Sequence, residues 1–234
     1  MNDPEVNSTA VIIGATGGIG RALFNHLKND QHTSQVIGFA RKEFIPIDLL
    51  DEQSIAAAAL HLSNNAQQIS LIINATGTLE GEHIIAEKSW RQLDPVALAQ
   101  AFAINTIGPA LLMKHFLPLL PRNQPSVFAT LSARVGSIGD NRLGGWYSYR
   151  ASKAALNQMV RSAAIELKRT APLAVCVAVH PGTVDTGLSR NFMKKGLDVQ
   201  TPELAAERIL HCLARLTLSD SGGFFDQLGR PVPW

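Results

Sequence analysis

Apolar positions along the chain follow two alternating rhythms. Short, nearly continuous apolar runs recur at 10–13, 35–40, 44–49, 69–77, 126–131 and 173–180. Each is bounded by glycine, proline or a polar cluster, as expected of strands covered on both faces. Between them apolar residues return at helical spacing. The clearest case is 154–167, where Ala155, Leu156, Met159, Val160, Ala163, Ala164 and Leu167 share one side. Helices are also expected over 21–28 and over 53–62 (entered from Asp51), after Asp94-Pro95, and from Thr201-Pro202-Glu203 to about Leu216. An Asp or Thr followed by Pro is a cap followed by a first-turn residue that needs no N–H. This alternation predicts an α/β fold: a doubly wound parallel sheet in three α/β/α layers, with ligands gathered at the strand C-termini. No repeat, low-complexity segment or linker interrupts it, so residues 1–234 are read as one domain. Residues 187–200 are polar without a clear period, which predicts a mobile lid over the crevice.

Composition narrows the class. A hydrophobic share of 46% and a charged share of 17% suit a compact soluble chain. The net charge of +2 is spread thinly, which argues against a nucleic-acid surface. No apolar run is expected to reach the ~20 residues of a membrane span. The polar start carries Asp3 and Glu5 rather than a basic-then-apolar leader. Cys176 and Cys212 lie far apart without metal-ligand spacing, so reduced thiols in a cytoplasmic protein are expected.

The chemistry concentrates in two motifs. The first strand runs into Gly14-Ala15-Thr16-Gly17-Gly18-Ile19-Gly20 and then a helix. Glycines there let the backbone turn tightly and approach a pyrophosphate, whose charge sits on the helix N-terminus, as in Rossmann-like folds. The tip of the second strand meets the adenosine ribose, where an acid bonds a 2′-hydroxyl and an arginine accommodates a 2′-phosphate. Ala40 stands where the acid would be and Arg41 follows, so NADP(H) is expected over NAD(H). The second motif is Tyr149-x-x-x-Lys153, opening the long amphipathic helix. Residues four apart share a helix face, and an ammonium beside a phenol favours phenolate, lowering a pKa otherwise near ~10. Such a tyrosine exchanges a proton with a carbonyl oxygen near neutral pH.

In order along the chain, Gly14-x-x-x-Gly18-Ile19-Gly20, Asp48-Leu49, Asn74-Ala75, Asn105, a serine-bearing fifth strand, Tyr149-x-x-x-Lys153 and Pro181-Gly182 with Thr186 resemble the short-chain dehydrogenase/reductase family over essentially the full length. Segments 140–150 and 229–234 look like its C-factor group, related to bacterial signalling proteins and sniffer-type carbonyl reductases.

The resemblance implies Tyr149 as acid/base and Lys153 as its tuner and as a ligand of the nicotinamide ribose. It implies Asn105 as holder of a water leading to the lysine. Asp48 and Leu49 would flank the adenine, Asn74 and Ala75 the adenosine ribose, and Thr186 the carboxamide. Thr16, Gly17, Thr76, Gly77, Pro181, Gly182 and Val184 would complete the cofactor site. The family serine lies three residues before a glycine, but three before Gly136 is Ala133. Ser132 is the nearest substitute and Ser137 another; neighbouring strand residues face opposite ways, so Ser132 serves only if the strand end is irregular.

Two functions follow: NADP(H)-dependent reduction of a small carbonyl compound, or oxidation of the alcohol, with a homodimer or homotetramer expected from the family; or a dinucleotide-binding signalling protein with weak turnover.

Overall fold

A computed structural model describes residues 8–43, 45–66, 68–81, 84–187 and 199–234. Strands β1 (Ser8–Ile13), β2 (Gln35–Phe39), β3 (Gln68–Asn74), β4 (Ser126–Leu131) and β5 (Ala174–His180) follow the apolar runs. The short β6 (Thr183–Val184) and β7 (Val199–Gln200) pair with each other, and β8 (Phe224–Asp226) closes the order. The main sheet runs β2-β1-β3-β4-β5-β8, and every pairing in it is parallel. Because β1 leads outward to β2 and the chain then crosses back to β3, the strand order reverses between β1 and β3. That switch point opens a crevice at their C-terminal ends.

Helices cover both faces. On one, α1 (Gly18–Lys28) packs against α6 (Pro202–Ala214), burying Leu23, Leu27, Ile209 and Leu213 over Ile12, Val177 and Val179. On the other, α2 (Glu52–Asn65), α3 (Pro95–Phe102), α4 (Gly108–Phe116) and α5 (Tyr147–Thr170) surround a core with Ile55, Leu62, Leu112, Phe116, Phe128, Leu156 and Val160. The expected caps are in place. Asp51 accepts from Gln53 N, Asp94 from Val96 N and Ala97 N, and Thr201 from Leu204 N.

Two expectations are corrected, and one strand, β8, is an addition to the pattern. The run 44–49 forms no strand among its described residues; a single bridge joins Ala40 to Pro46. Pro46 has no N–H to give a ladder, and Asp48 Oδ1 turns the chain by accepting Leu50 N at 3.0 Å. Strand β8, three residues long, was too short to register a period. Finally, a five-residue π-turn (Ala103–Ile107) joins α3 to α4, and the stretch Pro95–Leu119 holds an 18-residue window of mean hydropathy 1.6. By length and composition it could cross a membrane, contrary to the expectation of no such run. Here 44% of the window is buried inside the fold, with Ala101, Leu112 and Phe116 in the core.

Candidate active site

The glycine turn carries the backbone from β1 into α1. Gly14 adopts φ +87°, and a Cβ on Gly20 would run into Gly14's carbonyl oxygen, so neither position tolerates a side chain without displacement. Helix α1 opens on Gly17 with no side-chain cap and no acid in its first turn, leaving its N–H groups and dipole directed at the crevice. The arrangement fits the pyrophosphate of a dinucleotide.

The crevice, about 260 Å³, brings together Gly14, Thr16, Gly17, Arg41, Asp48, Leu49, Ala75, Thr76 and Gly77, with Ile104 at its wall. Arg41 is exposed at the tip beyond β2. A larger cavity of about 630 Å³ lies elsewhere, between α4 and α5. Size does not make that groove the reactive centre, since the glycine turn and the paired Tyr and Lys lie at the strand C-termini.

Some expected ligands are placed differently. Asn74 is fully buried; its Nδ2 donates to Thr130 Oγ1 at 2.9 Å, and its Oδ1 accepts from Thr76 N and Oγ1 at 3.1 and 2.6 Å. Its amide ties β3 to β4 and shapes the turn, which leaves Ala75 and Thr76 to line the crevice. Gly18 and Ile19 begin α1, and a Cβ on Gly18 would meet Thr186 Cγ2, so Thr186 rests against the glycine turn. Beyond Pro181, whose carbonyl accepts Gln200 Nε2 at 2.6 Å, and Gly182 (φ +82°), Val184 pairs with Gln200. The β6–β7 pair thus joins the two ends of the expected lid. Residues 188–198, most of that lid, lie outside the described residues.

Tyr149 and Lys153 lie one turn apart on α5, with Lys153 Nζ 6.0 Å from the Tyr149 ring centroid. Lys153 is 3% exposed and donates to Leu131 O at 2.9 Å. A Cβ placed on Gly77 would be 3.2 Å from Lys153 Nζ and 3.4 Å from Asn105 Oδ1, so both side chains meet at the crevice floor. Asn105, in the π-turn, accepts from Thr78 N at 2.9 Å and donates to Thr78 O at 2.8 Å and Ser152 Oγ at 3.2 Å. Burial pulls the Lys153 ammonium from 10.5 down to about 8. Burial also pushes the half-buried Tyr149 phenol above its ordinary 10, the reverse of the lowering expected from a neighbouring cation. The lysine's hydrogen bond goes to the strand carbonyl, and desolvation dominates the phenol.

The strand end stays regular through Ser132, whose N–H donates to Val179 O at 2.8 Å, and its side chain is turned to α5. Its Oγ donates to Asn157 Oδ1 at 2.6 Å on α5, and Ser132 is 4% exposed. Ser137 Oγ accepts Asp140 N at 3.1 Å inside the following loop. Ala133 lies in extended backbone before the turn of Gly136, which packs against Lys153. Motif reading passed over three residues. Asn157 anchors Ser132; His180, at the end of β5, has a buried Nδ1 without a partner among the described residues; and Glu87 sits at the start of α5. None carries a spacing signature.

Fold and crevice define a dinucleotide-binding α/β oxidoreductase. The short chain dehydrogenase family model matches residues 8–196, and the chain belongs to that family. It is an NAD(P)-dependent dehydrogenase/reductase by that membership. The C-signal of Myxococcus xanthus is 36% identical over 143 residues, covering 61% of this chain and 81% of that one. The carbonyl reductase Sniffer of D. melanogaster superposes with a TM-score of 0.83 at 23% identity, covering 97% and 99% of the two chains. An NADPH-bound carbonyl reductase from chicken fatty liver gives 0.81 at 25%, covering 98% and 99%.

Proposed function

We propose that the chain reduces a small carbonyl compound with NADPH, Tyr149 giving the proton to the carbonyl oxygen. The observation that carries this reading is the placement of Tyr149 and Lys153 on one face of α5 beside the glycine-turn crevice. A nicotinamide dinucleotide, when bound, supplies the hydride. Gly14, Gly17 and the start of α1 hold its phosphates, and Arg41, with no acid at Ala40, receives a 2′-phosphate. The NADPH-bound avian reductase supports that preference. A phenol held above its ordinary pKa keeps its proton at neutral pH, which suits reduction over alcohol oxidation. Lys153, still a cation at neutral pH, faces Asn105 and bonds the nicotinamide ribose. Ala133 leaves the substrate oxygen with one hydroxyl donor fewer than the family pattern. A missing oxyanion donor costs ~10²–10³ in rate, so turnover is slow.

Cys176 and Cys212, both buried and free, support a cytoplasmic setting. Val96, Ile107, Met159 and Ile165, exposed on the helical stretches carrying Asn105 and Tyr149, support a homodimer or homotetramer, which sedimentation tests. Titration with NADPH and NADH, followed by a carbonyl screen, tests the central reading: tighter NADPH binding with turnover supports it, and binding of neither refutes it. The second reading, a dinucleotide-dependent signalling protein, draws on Ala133 and the M. xanthus relative. It requires that biological activity survive Tyr149→Phe.

A further inference from the structure

The helix that carries Tyr149 starts without a cap of its own. Trp146 stands at its N-cap with φ 51°, ψ 44° and no side-chain cap bond. It is the sole non-glycine residue with positive φ among the described residues, a conformation a bulky side chain holds only where its surroundings impose it. What imposes it is Glu87, 61 residues before Ser148. Glu87's carbonyl oxygen accepts Trp146 N at 2.5 Å. Its carboxylate accepts Ser148 N at 3.2 and 3.3 Å, and Ser148 Oγ donates to the same carboxylate. Both Glu87 and Ser148 are 1% exposed. An acid is costly to bury, and the N–H groups and dipole of a 24-residue helix offset that cost here. From the other side, Arg150 Nε donates to Gly145 O at 3.0 Å and its Nη1 to Val135 O at 3.2 Å. The first turn of α5 is thereby gripped between the segment after β3 and the loop after β4, and Tyr149 is the residue between the two grips.

We infer that Glu87 is a positioning residue: it supplies, from a distant loop, the cap that α5 lacks, and so fixes where the Tyr149 phenol stands over the crevice. The inference rests on the reading of Tyr149 as proton donor. A displacement of about 1 Å at a reacting group can cost roughly 10²-fold in rate, so a local cap can govern turnover without touching substrate.

The test compares Glu87→Ala, Glu87→Gln and Tyr149→Phe with the parent chain. It measures kcat and KM on a model carbonyl, NADPH affinity, the thermal transition, and amide hydrogen exchange over residues 146–151. Glu87→Ala is expected to lower kcat at least about tenfold, leave NADPH affinity within about twofold, and speed exchange in that window alone. Glu87→Gln keeps an oxygen for Ser148 N and is expected to stay within about threefold of the parent kcat. The inference is overturned if Glu87→Ala leaves kcat and exchange unchanged, or if the Gln variant falls as far as the Ala variant. It is equally overturned if NADPH affinity and the thermal transition fall together with kcat, which marks a general fold defect. If turnover survives Tyr149→Phe, the proton-donor reading fails by itself, and the exchange data still decide whether Glu87 caps the helix.

Discussion

Lys153→Met should make the protein inactive and more stable at neutral pH. Lys153 is 3% exposed, and burial lowers its ammonium from 10.5 to about 8. At ~1.4 kcal/mol per pH unit that difference is worth about 3 kcal/mol. The folded value lies below the unfolded one, which sets the sign. Below pH about 8 both states carry the proton, and the folded chain bears the full cost of burying a cation. Between about 8 and 10.5 the folded state sheds its proton first, so the parent gains stability as pH rises. Methionine fills similar volume without charge. It also abandons the bond to Leu131 O, at a cost of about 1 kcal/mol. The net gain at neutral pH is therefore about 2 kcal/mol, or roughly 4–8 °C in Tm for a chain of this size. Urea unfolding across this pH range measures it. The advantage should shrink above about 8, vanish roughly 1.5 pH units higher, and be reversed by about 1 kcal/mol, the lost Leu131 bond, near 10.5. A variant that is less stable at neutral pH, or a gain that ignores pH, would refute the buried-cation argument.

Three further outcomes follow from the site. Ala133→Ser should raise kcat roughly tenfold or more by restoring the family's hydroxyl donor; steady-state kinetics showing no gain would mean the substrate oxygen lies elsewhere. Arg41→Ala should weaken NADPH by roughly tenfold and leave NADH nearly unchanged in fluorescence titration, and equal losses would remove Arg41 from cofactor choice. Ser132→Ala should cost about 1–2 kcal/mol of stability, by stranding Asn157, while kcat changes less than about threefold; a collapse of kcat in the folded variant would return Ser132 to the catalytic set.

Local chemistry decided what the sequence could reveal. The glycine turn, the caps at Asp51, Asp94 and Thr201, and the helical period around Leu156 and Val160 are encoded within a few neighbouring residues, and they appear where the pattern put them. Tyr149 and Lys153 were readable for the same reason, because four residues make a helix turn. Apart from the run 44–49, whose breakers are local, failures came where partners lie far apart in sequence. Run 44–49 looks apolar enough for a strand, yet Pro46 and the Asp48 turn end its pairing. Strand β8 is defined by its contact with β5 rather than by its own three residues. Alternation said that Ser132 faces away from Ala133, but only Asn157, 25 residues on, shows what its hydroxyl bonds. Glu87 is an isolated acid in an irregular segment, and its meaning exists only once α5 is folded against it. A neighbouring charge alone predicts a lowered Tyr149 phenol; burial, invisible in the local spacing, reverses the direction.

The central claim is that Tyr149 supplies the proton from a site assembled for NADPH. Single-turnover reduction of a model carbonyl, followed in the parent and in Tyr149→Phe with NADPH affinity measured on the same samples, tests it most directly. The Phe variant should bind NADPH as the parent does and slow hydride transfer by at least ~10²-fold. Turnover at the parent rate with intact binding would contradict it.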